Sequence, residues 1–158
     1  MIKAQLDSRE VLEAFRELEK KGGNLKPVFE DVGEYLGVST RRRFKDKEAP
    51  DGTPWARNSR LTQVMKGSDD PLVGESKSLG RQFSYNATAG ALEFGSTMKY
   101  AAVQHFGAKQ GEFGVSDRGT PLPWGDIPAR PILGISRQDE DVILDIVRDY
   151  LSAASGRL

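Results

Sequence analysis

Residues 108–126 constrain the fold of this chain more than any other stretch. Their nineteen positions hold four glycines, Gly111, Gly114, Gly119 and Gly125, and two prolines, Pro121 and Pro123. Proline removes a backbone donor and glycine loses the most freedom on folding, so neither a helix nor a central strand is expected to run through here. A connection of this length inside a compact domain is commonly a binding arm or a mobile segment. Before it stands Tyr100-Ala101-Ala102-Val103-Gln104-His105-Phe106-Gly107, which carries the only histidine; after it comes Ile127-Pro128-Ala129-Arg130-Pro131. Tyr100 to Phe106 suits a short helix. The proline-punctuated run from Ile127 to Ile135 is an edge strand at best.

Regular elements are legible on both sides of this stretch. Asp7 with Glu10 reads as a capping-box-like opening, followed by Val11, Leu12, Phe15 and Leu18 on one helical face and a stop at Gly22-Gly23. A second helix starts between Asn24 and Pro27, because proline is tolerated in the first turn. Leu25, Val28, Phe29, Val32 and Leu36 form its apolar stripe, and it runs on to Phe44. Gly33 and Gly37 weaken it by about 1 kcal/mol each, and close approach of another helix and tolerated flexibility are equally good readings of them. Residues 45–70, poor in apolar side chains, read as an extended surface segment anchored by Trp55. Leu79 to Tyr85 and Ala91 to Gly95 suit a hairpin. Ser136 caps the last helix with Asp139 at the box position, and Val142, Ile143, Ile146, Val147, Tyr150 and Leu151 give the clearest stripe in the chain.

At 158 residues the chain suits a single domain, 1–158, with a core that needs no disulfide or metal. It has no cysteine, which excludes a disulfide framework, a thiolate zinc site and a cysteine nucleophile, and fits a reducing cytosol. Met1–Leu6 is too short and polar for a signal peptide, and no apolar run reaches membrane-spanning length, so no membrane partner is expected. The formal net charge is zero, yet residues 41–66 carry eight basic and three acidic side chains, a net of +5. Residues 1–40 and 137–158 are each net −2. Such a surface can meet nucleic acid or an acidic face on a neighbouring copy of the same protein.

Catalytic chemistry finds little support. His105 titrates near neutrality, but no second histidine accompanies it, and zinc would need an unusual carboxylate-rich shell. Gly114-Val115-Ser116-Asp117-Arg118 lacks the final glycine of a nucleophile elbow, and no phosphate-binding glycine motif is present. No cofactor is expected, and His105 reads as structural or interfacial. In the basic run Arg41, Arg42, Arg43, Lys45 and Lys47, a solvated helix end or protein interface weighs above a nucleic-acid-binding module using residues 41–47. Trp55 and Trp124 each follow a proline in a polar loop. There, tryptophan either folds back onto the core or waits for a partner.

Taken in order, these features resemble the phage virion morphogenesis family, which includes the tail completion proteins of Mu-like phages. The resemblance rests on Arg42-Arg43-Phe44 at a helix end, Pro50-Asp51-Gly52, Trp55, Leu61-Thr62 and Lys66. It continues through Gly95, Tyr100-Ala101, His105-Phe106-Gly107, Ile127-Pro128-Ala129-Arg130-Pro131 and Leu133-Gly134, spanning roughly residues 25–152. Two positions depart from the pattern: Gln104 precedes His105, and Ile132 stands where an aromatic is usual. The resemblance implies an α+β subunit, with N-terminal helices and a C-terminal helix packed on a small antiparallel β-sheet and a long arm at about 108–126. It also implies a non-enzymatic assembly protein of the virion tail or neck, made in the host cytoplasm. Its partners would be copies of itself in a ring, often hexameric, tail tube or head–tail connector proteins, and non-specifically the DNA in the channel.

Overall fold

A computed structural model describes residues 2–3, 8–74 and 77–156. Strand β1 (Ile2–Lys3) precedes helices α1 (Arg9–Lys20), α2 (Leu25–Asp46) and α3 (Arg60–Lys66). Strands β2 (Phe83–Ala87) and β3 (Leu92–Ser96), short helix α4 (Ala101–Phe106) and long helix α5 (Arg137–Ser155) follow. The sheet is antiparallel in the order β1-β3-β2, with Tyr85 opposite Phe94. Helices and a small sheet share one core, an α+β fold. Among the described residues no helix is long and apolar enough to cross a membrane.

The stripes read from the sequence form that core. Val11, Phe15 and Leu18 of α1, Leu25, Val28, Val32 and Leu36 of α2, and Ile143, Leu144 and Val147 of α5 are buried together with Phe94 of β3. Asn24 caps α2 by accepting from the Lys26 amide at 3.1 Å, and Lys47 ends it in the left-handed region. Ser136 and Asp139 form a full capping box on α5. The proposed cap at Asp7 lies outside the described residues; Ser8 stands at the N-cap of α1.

Three expectations need correction. Gly33 does not admit a helix: a Cβ there would sit 2.6 Å from the Tyr85 ring, so this glycine lets β2 close onto α2. Gly37 meets only the Arg41 side chain at ordinary contact distance. Segment 45–70 is not wholly extended, since α3 lies within it, capped by Ser59 and stopped by Gly67 at φ 64°. The first strand of the hairpin, β2, begins at Phe83 rather than Leu79, because the amides of Arg81 and Gln82 turn back to the Ser78 carbonyl at 3.1 and 2.9 Å.

Candidate assembly interface

Residues 47–55 close into a tight turn. The Ala49 amide donates to the Thr53 carbonyl at 2.8 Å, and the Trp55 amide to the Lys47 carbonyl at 2.8 Å. At its tip the Asp51 carboxylate accepts from the Thr53 amide, a bond that lowers its pKa, and Gly52 takes φ 82° as the turn requires. The turn buries Trp55 edge-on against Phe44, with ring centroids 5.1 Å apart. Its indole N–H donates to the Pro131 carbonyl at 2.8 Å. Trp55 is therefore inside the subunit, not on an interface.

Pro131 belongs to the proline-punctuated run that frames residues 108–126 together with α4, and every backbone donor from Arg130 to Leu133 that is not a proline is engaged there. The Arg130 amide donates to the Gln104 carbonyl at 2.8 Å, and the amides of Ile132 and Leu133 donate to His105 Nδ1 at 3.1 and 3.4 Å. This explains the missing edge strand: Pro128 and Pro131 have no donor, and α4 takes the others. Only an isolated bridge joins Ala108 to Ile127. Arg130 is buried with its guanidinium on the carbonyls of Ala56 at 2.7 Å and Arg57 at 3.0 Å, and burial pulls its pKa down. Burial also lowers the pKa of His105, which keeps Nδ1 free to accept. At Gly107, φ is 77° and a Cβ would lie 2.7 Å from the Ile127 carbonyl, so the crossing needs glycine.

Beyond this frame, residues 108–126 fold back on themselves as a finger. Phe113 donates to the Leu122 carbonyl at 2.7 Å, Leu122 to Gly114 at 2.8 Å, and Ser116 to Thr120 at 2.8 Å. The Asp126 carboxylate closes the base, accepting from the Gln110 amide at 2.9 Å and pairing with Lys109 at 3.0 Å, contacts that lower its pKa. The Leu122–Pro123 peptide is cis. The side chains point outward: Phe113 is 56%, Val115 66%, Leu122 42% and Trp124 62% exposed. Phe106 and Tyr100 of the adjoining α4 region are exposed as well. Trp124 and Tyr100 line a groove of about 620 Å³ floored by Arg130, Pro128 and residues of α3.

The basic run divides. Arg41, Arg42 and Lys45 are exposed, but Arg43 is buried and pairs with Asp139, so it is not part of any charged surface. Asp139 Oδ1 also accepts from Ser39 at 2.5 Å and Tyr35 at 2.9 Å, and Oδ2 from the Ser136 amide at 2.8 Å. Burial would raise this carboxyl, but the Ser39 and Ser136 donors and the Arg43 charge outweigh it and hold the pKa low. The sequence reading found Asp139 as a cap and missed it as a buried anchor. It also missed Phe113, Val115 and Leu122, whose signal was their isolation among glycines and charges.

A family model for phage virion morphogenesis matches residues 6–152. The chain belongs to the phage virion morphogenesis family. Tail completion protein S of Escherichia phage P2 is 27% identical over 131 residues, covering 77% of this chain and 80% of that protein. No solved structure matches the chain significantly. Within the family match fall the turn at Pro50-Asp51-Gly52, the His105 and Arg130 frame and the finger it holds.

Proposed function

We propose that this chain is a non-enzymatic structural subunit of the phage tail, assembling as a closed ring, hexameric by the resemblance, at the head-proximal end of the tail or at the neck. The finger is its docking element, and the partner is an adjacent subunit, the tail tube or a connector protein. It acts in the host cytoplasm during assembly and remains in the virion as part of the tail or neck. One observation carries this reading: the finger is fixed by its own backbone hydrogen bonds while Phe113, Val115, Leu122 and Trp124 stay in solvent. Large apolar side chains gathered on a shaped projection mark an interaction site, and aromatics dominate interface energetics. His105 supports the same reading, because its Nδ1 is occupied by two backbone amides rather than facing a cleft with a nucleophile.

The test is completion of tails in a lysate lacking the functional protein. A Phe113→Ser/Trp124→Ser variant, shown folded by circular dichroism, is expected to leave tails incomplete. Full restoration of infectious particles by that variant refutes the docking role of the finger.

A further inference from the structure

The exposed part of the basic run belongs to a cleft that the sequence does not show. Arg41 and Lys45 of α2, with Lys47 just beyond it, face Lys77 and Arg81 from the loop before β2 across about 480 Å³. Among the described residues Asp70 is the one carboxylate lining this cleft, and it already pairs with Lys47 at 2.5 Å. Arg41, Lys45, Lys77 and Arg81 are exposed and form no ion pair among the described residues. Four cations around one cleft, outnumbering the carboxylates among the described residues that line it, favour an anionic occupant. The lining also includes Phe44, Leu72 and Val73, which suit the body of a protein helix better than a sugar–phosphate backbone.

The same chain offers such an occupant. Asp141, Asp145 and Asp149 recur every four residues on α5 and are all exposed. Only Asp145 has a cationic neighbour among the described residues, the exposed Arg148 at 3.7 Å. Four residues of α-helix rise about 6 Å, so Arg41 and Lys45 on α2 repeat at the same pitch as Asp145 and Asp149 on α5. No hydrogen bond or ion pair joins the two groups within the described subunit. The chain is neutral as a whole because the +5 at 41–66 is offset by −2 at each end and −1 over 67–136.

We propose that the cation cleft receives the carboxylate row of α5 from a second copy of this chain. The contact joins two different surfaces, so it is head-to-tail, and it propagates until the rotation closes a ring. It rests on the ring reading above and names the faces that would build it.

Two variants on exposed residues test it: Arg41→Gln/Lys45→Gln in the cleft and Asp145→Asn/Asp149→Asn on the row. Sedimentation at low salt reads association, and circular dichroism confirms folding. Each variant alone is expected to stay monomeric at concentrations where the wild type assembles, at least about tenfold weaker in association. An equimolar mixture is expected to stop at two subunits, since one copy offers only a row and the other only a cleft. A wild type that assembles together with either variant assembling normally overturns the contact but leaves the ring. So does a mixture that stays monomeric. A wild type monomeric at every concentration overturns the ring reading itself. Cleft variants that assemble normally yet lose salt-sensitive binding to duplex DNA overturn the proposal in favour of phosphate as the occupant.

Discussion

Trp55 and Trp124 share a sequence context, each following a proline in a polar loop, and the fold treats them oppositely. Trp55 is 6% exposed and Trp124 is 62% exposed. The difference lies in what the backbone of each loop pairs with. The 47–55 turn ends directly on α2, which lays its indole on Phe44 and brings its N–H to Pro131. The finger pairs along its own two legs, and a two-stranded ribbon has no second layer in which to bury a side chain. Tertiary seating, not local composition, decides whether an aromatic stabilises the subunit or stays free for a partner. The basic run repeats the lesson, with Arg43 inside on Asp139 and Arg41 and Lys45 outside.

The largest effect is expected on the buried side of that contrast. Asp139→Ala removes the acceptor for Arg43, Ser39, Tyr35 and Ser136 and leaves a buried guanidinium without its carboxylate, held only by the Ser39 hydroxyl at 3.3 Å. Breaking a buried pair in this way costs about 3–5 kcal/mol, and the orphaned donors place this variant at the upper end. Urea unfolding reads it; a loss below about 1 kcal/mol would mean that the pair is solvated. The wild type carries a matching pH signature. With the folded pKa of Asp139 lowered, its contribution is complete above the unfolded value of about 4 and is lost as pH falls through the folded value.

Trp55→Ala comes next, at about 3–4 kcal/mol for an emptied aromatic site in contact with Phe44. His105→Ala follows, at about 1–2 kcal/mol, because the amides of Ile132 and Leu133 lose their acceptor. Protonation of Nδ1 has the same consequence. His105 has a folded pKa lowered from 6.5, so its stabilisation is present above 6.5 and declines as pH drops toward the folded value. The protection factors of the Ile132 and Leu133 amides, from which the pH dependence of intrinsic exchange is divided out, should therefore fall below pH 6.5 in the wild type and show no such step in His105→Ala. A pH-independent exchange rate ratio at these amides would remove His105 from the frame.

Much of this was written in the sequence, unevenly. Periodicity located α1, α2 and α5, because each buries a stripe whose spacing is set by the helix itself. Even Arg43 was legible: the stripe at Leu25, Val28, Val32 and Leu36 continues at Ser39, Thr40 and Arg43, all buried. Its membership in a run of charges hid that signal. Helix α3 escaped because Leu61, Val64 and Met65 are exposed, which left Ser59 and Gly67 as its only signals. The cleft was beyond reach for a different reason. Lys77 and Arg81 meet Arg41 and Lys45 only after the loop before β2 folds back beside α2, and no local pattern encodes such a contact.

Trp124→Ala should have the smallest effect on the subunit and is the sharpest check on the comparison. The side chain is mostly in solvent, and the backbone carbonyl accepts from the Gln110 side chain at 2.9 Å. Surface substitutions of this kind fall within about 0.5 kcal/mol, so the urea midpoint should barely move. If Trp124 is a partner's anchor, the same variant should nevertheless fail to complete tails, since truncating such an aromatic costs about 2 kcal/mol or more of binding. The pairing of outcomes is what discriminates. Destabilisation comparable to Trp55→Ala would show that the finger packs on the subunit in solution, and an unimpaired variant in both assays would leave Trp124 without a role. Stability kept and assembly lost is the outcome that follows from a finger built on its own backbone and finished by a partner.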